Sequence, residues 1–445
     1  MIARLTAKVR ELRTDTHMRE IGRGALIALI LKVGGSGLAF AFNIAVARLL
    51  GAQGAGIYFL ALSITNVSSV IGRVGLDTAL LRFVAVRAAQ KDWKGVKGIY
   101  NLGIRMTIIA SGFIAIIVFT AATWIATTIF NRPELAEPLR WMSLSILPFS
   151  LLNIQAESLK GLKLIRDAMI VQNIGMPLIG MLLIIPMAHA AGVLGVSITY
   201  VVSAIMVALF ATWLWTRAVS DYAVKAAPFP FKEIWTSCRP LLGISILDGA
   251  VLPSLPFFLL GIWSSSTEVG IFGATVRVAM LVSFFLVAVS SVVAPKFASL
   301  YAKGDMHGLG QMGRHASLLL TLLAAPVVLV MIFAGDWVMG LYGKAFTAGS
   351  TTLAILAFGE LVNAMCGPVG FLLIMCGHER ALRKGTIISL VFQLILCLIL
   401  IPRFGMEGAG IAMAAGVIIN NLIAVFYVRK LIRIAYPIKL GWSAV

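Results

Sequence analysis

Residues 48–85 read RLLGAQGAGIYFLALSITNVSSVIGRVGLDTALLRFVA. The stretch opens on a glycine-rich turn, Gly51 to Gly56. From Ile57 it is apolar over the length of a membrane span, and near the end of that span stand Arg73 and Asp77. It leaves through Arg82 into a loop holding Arg87, Lys91, Lys94 and Lys97. A turn, about 20 apolar residues and a basic exit form the repeating unit of a helical membrane protein.

The rest of the chain extends this pattern. Of 445 residues, 60% are hydrophobic and 12% charged. A soluble domain carries about 25% charged residues, so a water-soluble globule is excluded. Runs such as Gly112–Phe119 and Leu318–Phe333 are continuously apolar. That rules out the alternating pattern of a membrane β-barrel. Twelve spans are expected, near residues 24–47, 55–80, 101–124, 139–159, 167–188, 192–216, 240–262, 269–294, 315–335, 348–375, 384–402 and 408–428.

The net charge of +19 lies in short loops on one side of these spans. That side gathers Lys160, Lys163, Arg217, Lys232, Lys303, Arg314, Arg380, Arg383 and Arg429, among others. The opposite side holds only Arg48, Arg132, Lys344 and Arg403. This is the positive-inside bias, so both termini are expected in the cytoplasm. The expected partners are anionic lipid headgroups and an anionic substrate, with no nucleic acid. Residues 1–23 are read as a basic cytoplasmic tail or interfacial helix, and their polar, charged start is unlike a cleavable signal peptide. Cys238, Cys366, Cys376 and Cys397 form no CxxC pair, and the five histidines show no ligand spacing. Small buried thiols and no metal or other cofactor are expected.

The opening unit recurs. Gly56-Ile57-Tyr58 returns as Gly270-Ile271-Phe272, and Arg82-Phe83 as Lys296-Phe297, each 214 residues later. Asn153 answers to Asn363, and Gly192-x-x-Gly195 to Gly405-x-x-Gly408. The organisation expected is therefore an N-terminal six-helix bundle over 24–219, a linker over 220–239, a C-terminal six-helix bundle over 240–430 and a tail over 431–445. An even span number gives both halves one orientation and a pseudo-two-fold axis along the membrane normal.

The RLLG-x-x-G-x-G-I-Y turn and the GLDTALLRFVA exit, with the small-residue starts of spans six and twelve, resemble bacterial polysaccharide and O-antigen flippases. These belong to the multidrug/oligosaccharidyl-lipid/polysaccharide (MOP) exporter superfamily. The resemblance implies a cavity between the halves, lined by spans one, two, seven and eight. It implies export of a polyprenyl-pyrophosphate-linked oligosaccharide by alternating access. It also implies work beside a polysaccharide polymerase and other glycan-assembly proteins in the bacterial inner membrane. The lipid II flippase branch usually carries two further spans, which are not found here. The multidrug branch has the same size, so a multidrug antiporter is the alternative reading. A membrane-embedded glycan-processing enzyme is a third, disfavoured by short outer loops.

Seven ionisable residues stand out inside expected spans as candidates, where a deep charge costs about 2.5–3.5 kcal/mol unless it faces water or a partner. Lys32, Arg73 and Arg277 are the expected substrate-binding cations. Asp77, Asp248, Glu157 and Glu360 are the expected ion-coupling or gating acids, driven by H+, Na+ or the membrane potential, since no nucleotide-binding motif occurs. Lys32 answers to Ile246, Arg73 to Val287 and Asp77 to Ser291. A charge required by the six-helix scaffold should recur in both halves, and these do not. Arg73 and Asp77, four residues apart, also suit simple mutual neutralisation. Lys32 and Asp248 lie at similar depth and suit an ion pair across the cavity. Arg48, Arg82 and Lys296 are expected as headgroup anchors. Pro253 and Pro256 are expected to kink span seven and free carbonyls near Asp248.

Overall fold

The computed structural model describes residues 16–220, 222, 224–434 and 436–437, without the side chains of residues 16–29, Pro240, Leu241, Ile244, Asp248 and Ser291. The expected tail of residues 1–23 thus lies outside the described residues up to position 15, and a helix runs on from Thr16. No strand occurs among the described residues. The chain is an all-α, multi-pass membrane protein. Among the described residues, seven helices are long and apolar enough to cross a bilayer. Three of them, Ile30–Gly72, Ile165–Ala218 and Glu379–Ile432, are each two spans joined at a sharp break. Spans four and seven, interrupted or shorter, complete the twelve.

The breaks show the two-fold repeat at the level of the backbone. Gly192 has φ 53° and ψ −127°, and Gly405 has φ 52° and ψ −127°. Glycine reaches that region without a Cβ clash, so these two positions let each span pair fold back on itself. Asp92 and Asp305, 213 residues apart, each cap the helix that follows, accepting from Gly95 N–H at 2.9 Å and Gly308 N–H at 2.7 Å. The Gly95 N–H, followed by Arg87, holds the Asp92 carboxyl below its ordinary value.

Span two departs from expectation. It does not run unbroken through residue 80. Its helix ends at Gly72, turns through Arg73–Gly75 and restarts at Leu76. Val74 and Gly75 both have positive φ there. Span seven carries a π-turn over Leu247–Val251 and then continues as helix from Leu252 to Trp263. Pro256 cannot donate to the Leu252 carbonyl, and Gln393 Nε2 of span eleven donates to it at 3.0 Å. The proline therefore frees a carbonyl, as expected, and a neighbouring span satisfies it.

The core sits unevenly. At the end opposite the basic loops, one apolar cluster runs through both halves, from Tyr58 and Phe59 to Phe272 and Phe346. At the basic end there are two separate clusters. One includes Leu80, Ile99 and Trp215, the other Phe297, Leu372 and Tyr436. The halves are thus packed together at one end and cored independently at the other.

Candidate functional site

The closed end is built on the repeat itself. A Cβ on Gly56 would overlap the Ser266 carbonyl and stand 2.9 Å from Gly270 N. A Cβ on Gly270 would overlap the Ala52 carbonyl and stand 2.8 Å from Gly56 N. The two equivalent glycines therefore face each other across the pseudo-two-fold axis, and spans two and eight meet backbone to backbone. Small residues permit such an approach in a membrane.

One turn further along span eight, the same face presents Gly273 and Arg277, at helical spacing from Gly270. A side chain on Gly273 would strike the Phe59 ring, so its absence lets Phe59 lie under the next turn. The Arg277 guanidinium sits 3.8 Å from the centre of that ring, and its Nη1 donates to the Gly273 carbonyl at 2.8 Å. It enters a cavity of about 170 Å³ whose other walls come from the N-terminal half, among them Phe42, Asn43, Tyr58, Met176 and Tyr200. No described carboxylate forms an ion pair with it; the described pairs are Arg73–Asp77, Arg87–Asp92, Arg140–Glu137 and Lys160–Glu157. A desolvated cation over an aromatic face gains about 2 kcal/mol or more, which offsets much of its membrane cost while leaving most donors free. The Tyr342 hydroxyl is buried and makes no hydrogen bond to a described residue.

The other singled-out residues lie apart from this cavity wall. Arg73 Nε and Asp77 pair at 3.1 Å across the break in span two, both largely buried. Glu157 is held by Lys160 at 2.7 Å and by Gln172 at 2.9 Å. Glu360 accepts from Ser283 Oγ at 2.8 Å and Asn363 Nδ2 at 3.0 Å, both within the C-terminal half. Lys32 is half-buried and forms no ion pair with a described residue. The Asp248 side chain lies outside those described, and with it the expected Lys32–Asp248 pair.

Two expected headgroup anchors, both exposed, also make protein contacts. Arg48 Nε donates to the Leu341 carbonyl at 2.8 Å, and Arg82 Nη2 to Ser237 Oγ at 2.8 Å. Arg132, expected only as a loop charge, is 6% exposed and bonds Ser266 Oγ at 2.7 Å and the Ser264 carbonyl. Burial pushes its guanidinium down from the usual value, and nearby Glu134 opposes that. Charge counting missed Arg132 because a loop cation on the sparse side looks like any exposed one. The aromatic wall was half visible: Tyr58 and Phe59 lie in the opening stretch, but nothing ties Tyr200 to them in sequence.

The family follows from residues 45–350, which match a family model described as "Polysaccharide biosynthesis protein". The chain belongs to that family. The matched region begins at the end of span one and takes in Arg73, Asp77, Glu157 and Arg277; Glu360 lies beyond it. A relative from Haloferax volcanii, the probable low-salt glycan biosynthesis flippase Agl15, is 26% identical over 204 residues, 45% of this chain and 43% of the relative. The chain spans about half the length of the curated relatives it matches. Among solved structures, an inward-facing multidrug resistance MATE transporter of the MOP superfamily superposes with a TM-score of 0.75 at 15% identity, covering 92% of this chain and 98% of that one. The lipid II flippase MurJ in an inward closed conformation superposes with a TM-score of 0.74 at 15% identity, covering 91% and 87%. The fold of this polysaccharide biosynthesis family member is therefore the twelve-span MOP fold, in two pseudo-symmetric six-helix bundles.

Proposed function

We propose that this protein is a flippase that moves a polyprenyl-pyrophosphate-linked oligosaccharide from the cytoplasmic to the outer leaflet. The observation that carries the reading is Arg277, a cation with no described carboxylate partner, in a cavity walled by both halves. A guanidinium with free donors binds phosphate or carboxylate in charge-assisted, often bidentate bonds. Tyrosine and phenylalanine faces beside it suit the apolar faces of sugar rings. A cavity bound for cationic drugs would need the opposite charge. The Haloferax volcanii relative's description as a glycan biosynthesis flippase supports the same class.

The positive-inside bias supports the basic end as cytoplasmic, and on this reading the protein works in the bacterial inner membrane. The cavity would then load from the cytoplasm and discharge when the closed end parts. Lys32 would extend the cationic path, while Asp77, held by Arg73, and Asp248, Glu157 and Glu360 would couple the cycle to H+ or Na+. The chain works as a carrier, not a catalyst.

Binding tests this. Purified protein in nanodiscs should bind a polyprenyl-diphosphate oligosaccharide, with Arg277→Gln weakening affinity about tenfold or more, the worth of lost charge-assisted bonds. Arg277→Lys should retain part of the affinity. Equal binding by wild type and Arg277→Gln would remove the basis of the reading.

A further inference from the structure

The closed end has two seams related by the pseudo-two-fold axis. One sets the turn between spans one and two against the connection between spans nine and ten. The other sets the turn between spans seven and eight against the connection between spans three and four. Each seam holds one guanidinium. Arg48 Nε donates to the Leu341 carbonyl at 2.8 Å. Arg132 Nη1 donates to Ser266 Oγ at 2.7 Å, and its Nη2 to the Ser264 carbonyl.

Both cations belong to the N-terminal half, and all three acceptors to the C-terminal half. The repeat does not supply this arrangement. At the 214-residue offset, Arg48 answers to Ile262 and Arg132 to Phe346. The receiving turn is also held in place. Glu268 accepts from Ser264 Oγ at 2.5 Å and from the Met406 N–H at 2.9 Å, at the break between spans eleven and twelve.

The chemistry of the acceptors matters most. They are carbonyls and a hydroxyl, and neither arginine forms an ion pair with a described carboxylate. Parting a buried ion pair strands two opposite charges, whereas parting these bonds strands only neutral acceptors that water can solvate. The arginines, at the mouth of the molecule, can turn to water or headgroups. Such contacts hold a closed state and still let go.

The geometry points to Arg48 and Arg132 as a two-point latch that keeps the closed end shut and releases for the Arg277 cavity to open on that face. Ala39, in the cavity wall, reports the opening when changed to cysteine. The four native cysteines are buried, and protein without the added cysteine gives the background. A membrane-impermeant maleimide is applied to each face of the membrane in turn. Against Ala39→Cys alone, adding Arg48→Gln and Arg132→Gln should raise labelling about tenfold from the closed face only, the effect of losing charge-assisted bonds from one state. Each single change should raise it less, and Ser266→Ala, which removes one acceptor, least. Unchanged labelling in the double variant, or an equal rise from both faces, would overturn the latch. Should the double variant not reach the membrane, Arg48→Gln, at an exposed side chain, carries the same test with the same readout. Labelling needs no substrate, so its outcome is separate from whether the protein carries a glycan.

Discussion

Arg73 and Arg277 are both arginines in apolar spans, and their surroundings separate them. Arg73 has its counter-charge four residues away, at 3.1 Å. Arg277 has a ring face and one carbonyl. The first is satisfied without a ligand; the second has donors to spare. A double-mutant cycle checks the Arg73 half of this contrast. Asp77→Asn should cost about 1–3 kcal/mol of stability by leaving Arg73 unpaired, and the Arg73→Gln/Asp77→Asn double should cost less than the sum of the singles. Additive thermal unfolding in detergent would show that the two do not act as a pair. The sequence exposed both arginines as costly charges and exposed the failure of Arg73 to recur. It did not separate their roles, because partnership depends on the break at Arg73–Gly75, which apolar periodicity does not reveal. The Gly72-x-x-Gly75 spacing was the available signal, and it is too common in membrane helices to mark a break on its own.

At the scale of helices, the glycines at equivalent positions decide how spans two and eight pack. Gly56→Ala or Gly270→Ala drives a methyl group into a backbone carbonyl of the other half. Overpacking against backbone has no rotamer escape, so each change should cost about 3 kcal/mol or more. Gly112→Ala, in span three, meets nothing within 4 Å and should be neutral or slightly stabilising. Melting temperatures of the three variants in one detergent check this. Equal shifts for Gly56→Ala and Gly112→Ala would contradict the backbone contact. The repeat identified Gly56 and Gly270 as equivalent before any contact was known. Two-fold symmetry adds the rest, since equivalent residues near an axis tend to meet. The hairpins at Gly192 and Gly405 were legible for the same reason. The π-turn in span seven was not, since the one breaker among its residues, Gly249, is a lone glycine of the kind membrane helices tolerate.

For the whole molecule, hydropathy, charge bias and the 214-residue repeat were enough to reach twelve spans in two bundles. They were silent on which end is closed, because closure is a matter of contacts between distant residues such as Arg132 and Ser266. The uneven core gives the answer: one shared cluster at the end away from the basic loops, two independent clusters at the other. A cavity with one cation, held under a latched end, is the arrangement a carrier of anionic lipid-linked glycan needs. The direct measurement is transbilayer movement of a polyprenyl-diphosphate oligosaccharide in proteoliposomes containing the purified chain. Wild-type protein should move the lipid well above protein-free vesicles, and Arg277→Gln should lower the rate about tenfold or more. Movement at the protein-free rate with wild type, or an unchanged rate with Arg277→Gln, would contradict the account.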